Sequence, residues 1–194
     1  MDIESIVMLP CEGEDFLRIS QKGSFCFPPL DPTQDDDPVS LDSFFCKVVP
    51  YEKEDHFFKT YKFVEKGRED DILALASLAN SSITFDTYES TPDTLQNSGY
   101  NEAFPAVMLS AFGVRFGLQR NGIGKRAFKL LLQNIREHSF AGVRLLTLHP
   151  LPDAIPFYID RGCKPFYDEE GLEVESMVLD IWNCDSGFCT ASSP

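Results

Sequence analysis

Residues 105–137 read PAVMLSAFGVRFGLQRNGIGKRAFKLLLQNIRE. Ala106–Val114 is an apolar run behind Pro105, the pattern of a buried strand. Gly124–Glu137 puts Ala127, Phe128, Leu131, Leu132 and Ile135 on one face, the pattern of an amphipathic helix. Between strand and helix lies Gln119-Arg120-Asn121-Gly122-Ile123-Gly124-Lys125. Its two glycines permit a tight turn and close backbone approach. Successive N–H groups at a helix start converge on one concavity and carry the positive end of the helix dipole. Arg120, Lys125 and Arg126 add charge to the same rim, and together these parts suit a pyrophosphate. The chain has no GxxxxGK[ST] loop. Gly122-x-Gly124-x-x-Ala127 would satisfy a dinucleotide fingerprint. That fingerprint wants a ribose-binding acid about twenty residues on, and no Asp or Glu stands between Glu137 and Asp153. A plain glycine-rich turn is the third reading.

Elements on either side follow from the same periodicities. Lys59–Glu65 alternates as a strand, with Tyr61 and Phe63 on one face and Lys62 and Val64 on the other. Gly67 turns the chain into the apolar run Asp71–Leu78, so the two strands make an antiparallel hairpin. Ser40–Val48 has Leu41, Phe44, Phe45 and Val48 at helical spacing, with Ser40 as its cap. Downstream, Val143–Leu148 reads as a short buried strand, Asp153–Asp160 as a helix capped by Asp153, and Ser176–Trp182 as a last strand. Residues 28–38 (PPLDPTQDDDP) and 90–105 (STPDTLQNSGYNEAFP) read as loops. Helices thus alternate with strands in a mixed α/β sheet. The organisation expected is an N-terminal segment over 1–39, one domain over 40–182 and a loose polar tail over 183–194.

Composition narrows the function classes. The 194 residues hold 17 bases and 31 acids, for a net charge of −14. Such a charge disfavours non-specific binding to nucleic acid or anionic lipid. It is unevenly spread: residues 1–114 carry −13, residues 165–194 carry −7, and residues 115–164 carry +6. The basic block coincides with the glycine loop and reads as a local anion site. The N-terminal MDIESIVMLPCEGED lacks the basic and apolar regions of a signal peptide, so a cytoplasmic protein with no membrane partner is expected. Cys11, Cys26, Cys46, Cys163, Cys184 and Cys189 form no CxxC pair, and His56, His138 and His149 lie far apart. No metal site is expected.

At this point the sequence resembles a family. Gln119-x-x-Gly122-x-Gly124 is similar to the (R/Q)xxGx(G/A) acetyl-CoA signature of the GNAT superfamily of N-acetyltransferases. Ala154-x-x-Phe157-Tyr158-x-x-x-Gly162-Cys163 resembles that family's AxxFYxxxGF segment, at the expected distance downstream. Pro105–Leu109 with Phe112-Gly113-Val114 resembles the strand before the loop, above all in the toxin-type branch that modifies aminoacyl-tRNA. Leu41-Asp42-x-Phe44-Phe45 echoes that branch's early helix. The resemblance is firm over residues 104–166. Three features depart from it: Cys163 stands for the usual Phe, Phe116-Gly117-Leu118 replaces polar or basic residues, and Ala106–Val114 holds no acid.

The resemblance implies a mostly antiparallel sheet flanked by helices, with a central pair of strands that splay apart. It implies acetyl-CoA as acetyl donor, held by Gln119, Arg120, Asn121, Gly122, Ile123, Gly124 and Lys125. The pantetheine would lie along Phe112, Gly113 and Val114. Tyr158 matches the tyrosine that protonates the leaving thiolate. An unperturbed phenol, with a pKa of about 10, carries its proton at neutral pH as an acid must. His149 and Glu102 are the candidate bases. The implied activity is direct transfer of an acetyl group to a primary amine of a small molecule or peptide. The acidic surface favours a cation, and homodimers are common in the family. Two alternatives stay open: toxin-like acetylation of aminoacyl-tRNA, and a non-catalytic CoA-binding module of the same fold.

Overall fold

The computed structural model describes residues 2–22, 41, 44–45, 49, 57–84, 103–138, 142–167 and 173–183. The loop expected over 28–38, most of that over 90–105, the tail beyond Asn183, Glu102, His56, Cys26, Cys46, Cys184 and Cys189 lie outside the described residues. The elements are β1 (Ile6–Pro10), α1 (Gly13–Lys22), β2 (Lys59–Glu65), β3 (Ile72–Ile83), β4 (Phe104–Val114), α2 (Ile123–His138), β5 (Leu145–Leu148), α3 (Ile155–Ile159), β6 (Lys164–Tyr167) and β7 (Glu173–Asp180). The strands form one seven-stranded sheet in the order β1-β2-β3-β4-β5-β7-β6. The β1–β2, β2–β3, β5–β7 and β6–β7 ladders are antiparallel and the β4–β5 ladder is parallel. The architecture is the mixed, mostly antiparallel α/β sheet flanked by helices that the sequence implies.

The expected hairpin is present, with Lys59 opposite Leu78 and Phe63 opposite Ala74. β3 extends to Ile83: its first seven residues are buried on both faces, and alternation begins only at Ala79. Continuous burial is what an internal strand shows. β4 starts at Phe104, two residues inside the expected loop, and its ladder with β5 covers Ala106–Leu109 opposite Leu145–Leu148. It then runs on through Ser110–Val114 past the last pair with β5.

The chain divides into two compact units, Met1–Ala79 with Ser110–Gln133, and Asn80–Leu109 with Asn134–Pro194. The first has a core of Phe16, Phe45, Val49, Val64, Ile72, Leu75 and Ala111. It contains two elements that sequence reasoning missed, β1 and α1. The first three residues of α1 carry no apolar side chain, but Asp15 accepts from the Glu12 N–H at 2.9 Å, the reciprocal half of a capping box. Lys62 closes on the same carboxylate at 2.7 Å. Within the helix expected over Ser40–Val48, only Leu41, Phe44 and Phe45 are described, and they are helical.

The second unit packs Phe104, Ala106, Leu145, Val178 and Ile83 together. Three expectations need correction here. The helix Asp153–Asp160 begins as a 3-10 turn, Pro152–Ala154, and continues as the five-residue α3. Asp153 caps neither element: Leu151 and Ala154 hold the cap positions, with no side-chain cap bond. Pro156 falls in the first turn of α3, where its missing N–H costs nothing. The last strand is Glu173–Asp180 rather than Ser176–Trp182, and β5 omits Val143 and Arg144. The short β6 was not anticipated because Pro165 argues against a strand; it lies at the sheet edge, where proline is tolerated.

Candidate active site

In the first unit the chain leaves β4 through a sequence of tight turns. The Arg115 N–H donates to the Leu73 carbonyl at 2.9 Å, and Leu118 N–H turns back to Arg115 O at 3.0 Å. Gly117, Arg120 and Gly122 then take left-handed backbone, at φ +82°, +62° and +81°. Glycine adopts this freely; an arginine there is held by its surroundings. Gln119 Nε2 donates to Val114 O at 3.2 Å and Asn121 Nδ2 to Leu118 O at 3.4 Å, so both amides stitch the loop to itself. The helix ladder opens with Arg126 N–H on Gly122 O at 3.1 Å. That bond stands at the positive end of α2, directly after the left-handed Gly122.

The loop keeps its backbone accessible while its root is anchored. Gln119, Arg120, Asn121, Gly122 and Lys125 are exposed and Gly124 is half-buried. Ile123 is buried with Ala127, Phe128, Leu131 and Leu132. Phe112 stands edge-on between Phe63 and Phe128, at ring separations of 6.4 and 6.1 Å, so its side chain packs the core. Gly113 is buried and Val114 half-buried.

Most of the basic block forms ion pairs and hydrogen bonds within the chain. Arg115 pairs with Asp71 at 2.6 Å and Arg126 with Glu4 at 3.2 Å. In the second unit Arg144 pairs with Asp180 at 2.8 Å, and Arg136 Nε donates to Ile181 O at 2.6 Å. Arg161 donates to Phe157 O. At least five of the block's nine bases are thus committed to structure, and Arg120 is exposed at the loop.

In the second unit α3 carries Tyr158, which is 6% exposed. Its ring meets Phe157 edge-on at 5.1 Å, and the Arg161 guanidinium lies 3.4 Å from the Phe157 centroid. Tyr158 O accepts from the N–H groups of Arg161 (3.0 Å) and Cys163 (3.1 Å), which closes the helix end. Burial, and secondarily Cys163, raises the phenol above its ordinary range, while Arg161 pulls it down. The phenol therefore carries its proton at neutral pH. Burial likewise pushes the Cys163 thiol up to about 12, so Cys163 behaves as the small apolar residue that replaces Phe. His149 is exposed just past β5. Among the described residues no group of three or more His, Cys, Asp and Glu could hold a metal ion, and no helix is long and apolar enough to cross a membrane. Sequence reasoning missed Glu4 at the loop, because nothing local links it to a residue 122 positions away.

No family model matches the chain, and no curated protein does. Solved structures do. AtaT complexed with acetyl-methionyl-tRNAfMet matches with a TM-score of 0.64 at 15% identity, over 90% of this chain and 94% of that one. A mutant of KacT matches with 0.64 at 15% identity, over 91% and 95%. AtaTR bound with AcCoA matches with 0.61 at 14% identity, over 92% and 94%. The chain has the fold of these proteins, the GNAT-type fold that its motifs resemble.

Proposed function

We propose that this chain is an acetyl-CoA-dependent N-acetyltransferase. The observation that carries the proposal is the loop Gln119–Lys125, whose left-handed Arg120 and Gly122 lead into the start of α2 at the place where the signature motif predicts an anion site. The AcCoA-bound neighbour of the same fold supports it. Acetyl-CoA supplies an acetyl group already activated as a thioester. The chain's own residues do the rest. The loop from Gly122 to Lys125 at the start of α2 binds the pyrophosphate, with Gln119, Arg120 and Asn121 on the rim. The backbone of Phe112, Gly113 and Val114 lines the pantetheine along the part of β4 beyond its last pair with β5. Tyr158 holds the proton that the departing thiolate needs, and its burial keeps that proton in place at neutral pH.

For the acceptor, the α-amino group of an aminoacyl-tRNA is the reading that the AtaT complex supports best. A cationic small amine is the second reading, and the net charge of −14 favours it. The test is titration calorimetry with acetyl-CoA, followed by mass-spectrometric assay of acetyl transfer to charged tRNAs and to a panel of free amines. We expect binding that Gly122→Glu abolishes, and transfer that falls about 10²–10⁴-fold in Tyr158→Phe with binding kept. Binding without transfer to any acceptor would make the chain a CoA-binding module. No binding at all would overturn the proposal.

A further inference from the structure

The residues Asp2–Ser5 lie against the loop from the far end of the sequence. They form a 3-10 turn in which Asp2 Oδ1 accepts from Glu4 N–H at 3.0 Å and Asp2 O from Ser5 N–H at 3.1 Å. Lys66 N–H on Ser5 O, at 3.0 Å, pins the turn to the end of β2. From there Ile3 reaches under the loop: a Cβ on Gly122 would meet Ile3 Cδ1 at 3.0 Å. Glu4 meets the first turn of α2 twice. Its carboxylate is 3.2 Å from Arg126 Nη1, and its carbonyl accepts from Nη2 at 3.4 Å. The Arg126 Nε is buried with no partner among the described residues.

Arg126 is thus a guanidinium at the root of an anion-binding loop, already occupied by an anion of the chain's own. Side chains on a helix lean toward its N-terminus, so this cation belongs to the loop's electrostatic field. A phosphate placed in the loop competes with the Glu4 carboxylate for Arg126 and is repelled by it. Two of the guanidinium's contacts go to Glu4, and one of these is a carbonyl that cannot be titrated away. The segment therefore keeps Arg126 in place while part of its charge is cancelled.

We infer that Glu4 sets the affinity of the loop for its phosphorylated ligand, by holding Arg126 as an internal competitor. The inference rests on the reading of the loop as the acetyl-CoA site. It makes a counter-intuitive expectation, that removal of a native ion pair tightens binding.

The experiment is calorimetric titration of CoA into the wild-type chain, Glu4→Gln, Arg126→Gln and the double variant, at low and at high salt. The Glu4 side chain is 77% exposed, so the first substitution leaves the fold intact. An exposed pair of this kind is worth up to about fivefold. Glu4→Gln should therefore bind CoA about two- to fivefold more tightly at low salt, and the gain should shrink at high salt. Arg126→Gln should bind more weakly, and Glu4→Gln should gain less in its background. Normal CoA binding that Glu4→Gln leaves unchanged or weakens would overturn the inference alone. Absence of CoA binding in all four proteins would overturn the acetyl-CoA reading, and this inference with it.

Discussion

Replacement of Gly122 by alanine tests whether the loop's shape depends on glycine or only tolerates it. Two separable terms act there. The left-handed φ of +81° costs an L-residue about 1–2 kcal/mol. The new Cβ also meets Ile3 Cδ1 at 3.0 Å, and displacement of that side chain from its rotamer costs about 0.5–1 kcal/mol more. Other glycines separate the terms. Gly67 and Gly117 have φ of +85° and +82° with nothing near the added Cβ, so alanine there shows the backbone term alone. Gly142 has open space and no left-handed φ, so alanine there should be neutral or stabilising. Urea unfolding should rank the variants Gly142→Ala, then Gly67→Ala and Gly117→Ala together, then Gly122→Ala. The last should lose about 1.5–3 kcal/mol, or about 3–12 °C in Tm for a chain of this size. In an Ile3→Ala background the excess of Gly122→Ala over Gly117→Ala should vanish. An alanine at Gly122 that costs no more than one at Gly142 would refute the account of the loop. An excess that survives Ile3→Ala would refute the contact with the N-terminal turn.

Three further outcomes are expected. The Cys163 and Cys11 thiols are pushed up to about 12 by burial, from an ordinary 9.0. The folded chain therefore keeps protons that the unfolded chain releases above about pH 9, and stability should fall as pH rises from there, by about 1.4 kcal/mol per unit for each thiol. Unfolding midpoints from pH 8 to 10.5 check this: Cys163→Ala should flatten the decline, and a flat wild-type profile would contradict it. Ser110 Oγ is buried on β4 without a hydrogen-bond partner among the described residues, so Ser110→Ala should raise stability by about 1 kcal/mol in thermal melts; a loss would mean that the hydroxyl is satisfied. The Lys62–Asp15 pair, whose side chains are 12% and 7% exposed, should cost about 3–5 kcal/mol when Lys62→Met strands the carboxylate. The double variant with Asp15→Leu should recover most of that loss, and equal losses in both would argue against a buried ion pair.

The parts of the fold legible in the sequence were those whose cause is local. The β2–β3 hairpin follows from alternation around Gly67. The helix α2 follows from one apolar stripe, and the left-handed turn at Gly122 from a residue without a Cβ. β1, α1 and β6 were not legible. β1 is a five-residue strand with a partner more than fifty positions away. α1 starts without an apolar face, and β6 contains a proline that only an edge position permits.

The amino-acid sequence by itself determined where a phosphate-binding loop could form and which tyrosine stood in the second motif, because glycine torsions and motif spacing are properties of a few neighbouring residues. It also determined the net charge of −14 and the basic block of +6 within it. Only the tertiary structure decided what that block is for. Arg115, Arg126 and Arg144 meet carboxylates 44, 122 and 36 positions away, and no local pattern encodes such pairs. Burial of Tyr158, which holds its proton in place, was decided in the same way: desolvation depends on everything packed around a group, not on its neighbours in the chain.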